Sequence, residues 1–186
     1  MTLPDTAALL YQATSQLNKT SDTPALDAEL LFCAISGIDR SAVTTGRSMT
    51  LTNRQREVFS TLIKRRTAGE PIAYLLRRKE FWSQDLLVSP EVLIPRPETE
   101  LLVEQALEHL PEQPCNVADL GTGSGAIALA IATERPNVQV TATDISQSAL
   151  EVAMKNAARL GVRNVTFRQG DWFAPLADQH YRLIVS

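Results

Sequence analysis

The chain has 186 residues, 44% of them hydrophobic and 21% charged, with 18 basic against 21 acidic side chains and a formal net charge of −3. That is the make-up of a soluble globular protein of one domain, or a small domain plus part of another; it argues against a whole-protein nucleic-acid binder while leaving room for a local basic patch. Cys33 and Cys115 lack metal-ligand spacing and read as reduced thiols, MTLPDTAALL lacks the basic and apolar regions of a signal peptide, and the longest apolar run, Ala126 to Ala132, is too short to cross a bilayer, so a cytoplasmic protein without a membrane anchor is expected.

Up to about Gly69 the signals are helical. DTAALLYQATSQL carries Leu9, Leu10, Ala13 and Leu17 at helical spacing. TPALDAELLFCAISG has Pro24 near its start and Gly37 at its stop, with an expected apolar stripe of Leu26, Leu30 and Ala34 flanked by Leu31 and Ile35. LTNRQREVFSTLIKRRTAG offers Thr52 as N-cap with Gln55 three residues on, a capping-box pattern; Val58, Phe59, Leu62 and Ile63 form its apolar side, and Gly69 ends it. Three amphipathic helices with short connections predict a small bundle. KEFWSQDLLVS then alternates loosely around a polar Ser-Gln-Asp break and predicts a hairpin. PEVLIPRPETE is punctuated by proline and reads as a linker. PETELLVEQALEHLP predicts a helix with Pro97 in the first turn and Pro111 as its stop.

Beyond Pro114 strands and helices alternate. NVADL, VQVTAT, VTFRQG and YRLIVS read as four strands. A helix to about Arg135 follows the first. A second, capped by Ser146 or Ser148, runs through Leu150, Ala153, Met154, Ala157 and Leu160 to Gly161. This order predicts a parallel sheet covered on both faces. In such sheets ligands bind beyond the C-terminal ends of the strands, and the sequence stops at Ser186 on such an end, so a fragment of a longer protein is expected.

The stretch DLGTGSGAIALA places three glycines at the first strand-to-helix turn. Glycine there lets a ligand approach the backbone, and a helix N-terminus offers free N–H groups. Asp144, at the end of the next strand, suits a pair of ribose hydroxyls. Two cofactors compete. Gly121, Gly123 and Ala126 form a G-x-G-x-x-A variant of the dinucleotide fingerprint. Gly121, Gly123 and Gly125, with Asp119 two positions before, resemble motif I of the S-adenosylmethionine (SAM) methyltransferases. A carboxylate at Asp119 would oppose a pyrophosphate but tolerate the ammonium and sulfonium of SAM.

EFWSQDLLVSPEVLIPRPETELLVEQAL, then DLGTGSGAIALA, Asp144 and GDWF together resemble the PrmC family, formerly HemK, which methylates a glutamine of peptide chain release factors. The resemblance covers nearly the whole chain. It implies an α/β architecture: an N-terminal α-helical bundle for substrate docking over residues 1–70, a β-hairpin linker over 71–97, and the first half of a Rossmann-like SAM-binding domain over 98–186. It further implies that Gly121, Thr122, Gly123, Ser124 and Gly125 line the methionyl part of SAM, that Asp144 holds the ribose, and that Trp172 in GDWF lies against the adenine. Asp171 has no assigned role. Taken alone, Trp172 and Phe173 read more readily as core aromatics at a strand–helix junction; beside the glycine turn and Asp144, the adenine role comes first for Trp172. Arg96, Pro97, Glu98, Thr99 and Glu100 match the family's pre-domain signature, expected near the cofactor, although the same residues make a linker and a helix N-cap.

Two features depart from the family pattern. Arg77 and Arg78 stand where a glycine usually precedes EF, and the Asn-Pro-Pro-Tyr motif expected after a strand like YRLIVS lies outside residues 1–186. In the family that motif orients the acceptor amide, whose nitrogen is a poor nucleophile because its lone pair is delocalised into the carbonyl, and aiming it at the methyl group can lower the barrier substantially. No catalytic residue is therefore assigned, and the chain by itself is expected to be inactive. The implied activity is SAM-dependent N5-methylation of a release-factor glutamine. The alternatives are an amino-methyltransferase of nucleic-acid bases and a dinucleotide-binding oxidoreductase. Between residues 52 and 82, eight basic side chains (Arg54, Arg56, Lys64, Arg65, Arg66, Arg77, Arg78, Lys79) face three acidic ones, which reads as a solvated face or a dock for an acidic protein surface. His109 and His180 are isolated, so no metal site is expected.

Overall fold

The computed structural model describes residues 5–46, 49–176 and 179–186. The chain divides into two compact units, residues 1–76 and 77–186.

In the first unit, α1 (Thr6–Leu17) starts at Asp5, whose carboxylate accepts the Ala8 N–H at 2.8 Å. It is followed by α2 (Pro24–Ser36), α3 (Arg40–Thr44), α4 (Asn53–Thr67) and α5 (Ile72–Leu76); the two short helices α3 and α5 had no periodic signal. The capping box of α4 forms as expected: the Gln55 N–H donates to Thr52 Oγ1 at 3.3 Å, and the Thr52 N–H donates to Gln55 Oε1 at 2.9 Å. The α2 stripe is rotated by about one residue from expectation. Ala28, Leu31 and Phe32 are buried, whereas Leu26 and Leu30 are half-buried and Ala34 is exposed. The rotation brings the largest side chain inward, where Phe32 meets Phe59 edge to face with centroids 5.9 Å apart. It also buries Asp27, which is paired with Arg66 Nε at 2.7 Å and accepts the Ser21 hydroxyl at 2.7 Å. On α4, Phe59 and Ile63 are buried but Val58 is exposed.

The second unit opens with a hairpin, β1 (Arg78–Phe81) and β2 (Gln84–Leu87), paired antiparallel with Phe81 opposite Gln84. The turn is Trp82–Ser83 rather than the expected Ser-Gln-Asp, and both residues take left-handed φ, 51° and 54°. Two such residues match the twist of the flanking strands, so the geometry is favourable although neither is glycine. Arg77, one of the two arginines before this hairpin's EF, also sits at φ 56°, a conformation that costs a side-chain-bearing residue about 1–2 kcal/mol. Pro97 lies in a turn before α6 (Thr99–His109) rather than inside it, with the Glu100 N–H donating to the Pro97 carbonyl at 3.0 Å.

The remainder alternates β3 (Asn116–Leu120), α7 (Ala126–Glu134), β4 (Gln139–Asp144), α8 (Gln147–Leu160), β5 (Val165–Gln169) and β6 (Leu183–Val185). The four strands are parallel in the order β5-β4-β3-β6, so the chain doubles back beside β3 and opens a crevice at the strand C-termini. Ser146, not Ser148, caps α8 by accepting the Ala149 N–H at 3.2 Å. The helices do not flank both faces as expected. Val117, Val140, Ala142 and Val185 share one core with α6 and α7, and Val165 and Phe167 pack on the same side with α7 and α8. On the opposite face Ala118 and Leu120 meet Leu176 and Tyr181 from the segment after β5. The reason is connectivity: successive right-handed crossovers from β3 to β4 and from β4 to β5 put both helices on one side.

Candidate cofactor cleft

The glycine turn is built from below. Val117 and Asp119 alternate toward the helix side of β3, so Asp119 ends beneath the turn, buried at 1% exposure. Its Oδ2 accepts the Thr122 hydroxyl at 2.6 Å. Its Oδ1 lacks a partner within hydrogen-bond geometry, although the Ala128 N–H in the first turn of α7 still favours the charged form. Desolvation outweighs the Thr122 and Ala128 contributions, and with nearby Asp144 adding repulsion, the carboxyl is pushed up to about 6. The Thr122 N–H donates to the Thr143 carbonyl at 2.8 Å and the Gly125 N–H to the Thr122 carbonyl at 2.8 Å, which closes the loop on itself.

The three glycines are left-handed for two different reasons. Gly121 has φ 72° and a Cβ there would meet nothing within 4 Å, while Gly123 has φ 55° with only the Gly121 carbonyl at 4.0 Å. Gly125 has φ 83°, and a Cβ would lie 3.1 Å from both Ala153 and Leu129, so this glycine permits close packing of α7 on α8.

Asp144 bridges the turn to the next helix. Its Oδ2 accepts the Gly123 N–H at 2.9 Å and its Oδ1 accepts the Ser146 N–H at 2.9 Å. Beside it opens a cleft of about 140 Å³ whose walls include Gly121, Thr143, Asp144, Ile145, Gly170, Asp171 and Trp172. Trp172 takes φ 43° and is 61% exposed, stacked on Phe173 at 6.5 Å. Neither ring belongs to the core, which removes the alternative reading of GDWF.

Of the seven sequence-predicted residues, Gly121, Asp144 and Trp172 are thus brought to one cleft. Thr122 and Ser124 are buried, with the Thr122 hydroxyl spent on Asp119 and the Ser124 carbonyl accepting Asn156 Nδ2 at 2.9 Å. Gly123 faces Asp144, and Gly125 packs between helices. The pre-domain signature is not among the cleft residues: Glu100 Oε1 accepts the Trp82 N–H at 2.8 Å, so its carboxylate secures the hairpin turn instead. Sequence reasoning passed over Ile145 and Gly170, which flank Asp144 and Asp171 directly, and Asn156, a polar residue on the apolar stripe of α8 between Ala153 and Ala157.

Outside the cleft, several of the basic residues between positions 52 and 82 are tied to acids: Arg65 to Glu70, Arg66 to Asp27 and Arg78 to Asp85. Among the described residues there is no cluster of His, Cys, Asp and Glu suited to a metal ion, and no helix is long and apolar enough to cross a membrane.

Comparison with known proteins fits this geometry. Residues 8–76 match the PrmC N-terminal domain and residues 111–186 a methyltransferase domain. The release factor glutamine methyltransferase of Escherichia coli (strain K12) is 48% identical over 177 residues, covering 95% of this chain and 64% of that protein. The protein of the same name from Vibrio cholerae serotype O1 is 49% identical over 181 residues, 96% of this chain and 63% of that protein. The chain is similar to the PrmC family in both matched segments. The chain spans less than two thirds of the length of these relatives. Among solved structures, a ribosomal protein L11 methylase from Lactobacillus delbrueckii subsp. bulgaricus is 32% identical over 48% of this chain and 45% of that one, with a TM-score of 0.42. The glycine turn, Asp144 and GDWF all fall inside the matched methyltransferase segment.

Proposed function

We propose that the second unit binds SAM and that the protein N5-methylates a glutamine side chain of peptide chain release factors. The observation that carries this reading is the 48% identity, over 95% of the chain, to a release factor glutamine methyltransferase. The donor set of the cleft suits SAM. Gly121 presents bare backbone to open space. Each Asp144 oxygen accepts one backbone N–H and keeps a lone pair for a ribose hydroxyl. The exposed Trp172 ring offers a stacking face to adenine. Asp119 places a carboxyl beneath the turn, where the ammonium and sulfonium of SAM favour its ionised form.

When bound, SAM supplies an electrophilic methyl group on a cationic sulfur. The chain's own residues bind and orient it: Gly121 and Gly123 shape the backbone around the methionyl part, Thr122 and Ser124 act through buried contacts that fix the loop, Gly125 sets the start of α7, Asp144 aligns the ribose, and Trp172 borders the base. No catalytic residue is assigned within 1–186. The helical unit, with the basic side of α4, is assigned to docking an acidic face of the release factor in the cytoplasm. The intact protein, incubated with methyl-labelled SAM and either a release factor or DNA, is expected to label only the release factor, at glutamine. Label on DNA alone overturns the protein substrate, and tighter calorimetric binding of NAD than of SAM overturns the cofactor.

A further inference from the structure

Asn156 is 1% exposed on α8, and its side chain makes three hydrogen bonds. The Leu87 N–H at the end of the hairpin donates to Asn156 Oδ1 at 2.7 Å, and Asn156 Nδ2 donates to the Leu87 carbonyl at 3.0 Å. The same nitrogen donates to the Ser124 carbonyl inside the glycine turn at 2.9 Å. The amide thus pairs with both backbone groups of Leu87 as a neighbouring strand would, and spends its other N–H on the loop that faces the cleft. The rest of that loop is held at other points: Thr122 by Thr143 and Asp119, Gly123 by Asp144. Among the described residues, the Ser124–Gly125 peptide is the part of the loop that Asn156 joins to the hairpin. A carbonyl free to turn outward would place a negative dipole at the helix N-terminus, where the first N–H groups of α7 otherwise point toward a ligand. At the other end of the hairpin, Trp82 is anchored through its N–H to Glu100 and through Nε1 to Glu134 at 2.9 Å.

We propose that Asn156 is a positioning residue for the cofactor: it locks the Ser124 carbonyl inward and makes the hairpin a rigid brace for the glycine turn. This rests on the SAM-binding reading above. A side chain that only filled space on α8 would need no donors, and Ala149, Ala153 and Ala157 serve that purpose on the same face. Three satisfied bonds on one buried amide are an unlike choice for packing alone, because each lost partner leaves a desolvated polar group.

The test uses the intact protein. Asn156→Asp keeps the shape but sets an acceptor against the Leu87 and Ser124 carbonyls. Asn156→Ala removes the bonds without burying a carboxylate, and serves where the first variant does not fold. Val138→Ala, a buried truncation near the opposite end of the strands, is the stability control. SAM affinity is measured by calorimetry at a temperature where every protein used is folded, together with hydrogen exchange at the Leu87 amide. The expected result is at least a tenfold loss of SAM affinity in the Asn156 variants with faster Leu87 exchange, and an unchanged affinity in Val138→Ala. SAM affinity equal to the parent's in a folded Asn156 variant overturns the proposal, as does an equal loss in Val138→Ala. A parent that does not bind SAM is a distinct outcome and overturns the cofactor reading itself.

Discussion

Asp119→Asn isolates the electrostatic strain stored beneath the glycine turn. Burial pushes the Asp119 carboxyl from 3.8 up to about 6, so between those pH values the native state keeps a proton that the unfolded chain has released. The native state therefore binds more protons there, and stability falls as pH rises. The contribution is present below the unfolded value and lost by about pH 6. At 1.36 kcal/mol per pKa unit, the interval between 3.8 and about 6 amounts to about 3 kcal/mol. Asparagine keeps an acceptor for the Thr122 hydroxyl and never ionises. Its extra N–H₂ lacks a partner as Oδ1 does now, but that cost is the same at every pH. Over the measurable window from about pH 4 to pH 7.5, whose lower end already lies above the unfolded value, the difference in stability between parent and variant should therefore shift by about 2.5 kcal/mol in favour of the variant. Urea unfolding followed by tryptophan fluorescence reads it out, because both tryptophans, Trp82 and Trp172, lie in the second unit. A parent–variant difference that stays constant within about 1 kcal/mol over that range would show that Asp119 ionises as freely in the fold as in the open chain.

Asp144→Ala removes the carboxylate that receives Gly123, Ser146 and the proposed ribose, and should weaken SAM binding by about 1.5–3 kcal/mol, or roughly 10- to 150-fold, in calorimetry; an unchanged Kd would detach the ribose from this residue. Gly125→Ala should destabilise the second unit by about 2–4 kcal/mol, since left-handed strain adds to overpacking against Ala153 and Leu129, whereas Gly121→Ala carries only the strain of about 1 kcal/mol. Equal losses in urea unfolding would contradict the separate roles of these glycines. Ser83→Gly, at the exposed second turn position with φ 54°, should raise stability by about 1 kcal/mol, and a lowered melting temperature would show that the turn depends on the Ser83 side chain.

Local physics made much of this protein legible from residue order. Thr52 and Gln55 announce a helix start because a capping box is completed within four residues, and NVADL before three glycines announces a strand and a tight turn. Asp144 could be placed in the crevice because a strand end beside that turn fixes its position. The α2 stripe could not be read correctly, since which side of an apolar helix turns inward depends on what it meets, here Phe59 and Arg66 from α4. The partner of Glu100 could not be read for a related reason: its carboxylate accepts the N–H of Trp82, 18 positions earlier.

Residue order alone carries the succession of the longer helices and the strands, the glycine turn and the acid that follows it, because these rest on backbone freedom, capping and alternation between near neighbours. Only the tertiary structure decided that Asp119 lies buried with its charge disfavoured, that Gly125 serves packing while Gly121 faces open space, that Trp172 is exposed, and that Asn156 ties the turn to the hairpin. Each of these depends on groups brought together from distant parts of the chain, where burial sets the strength of a charge or a hydrogen bond and no local pattern records it.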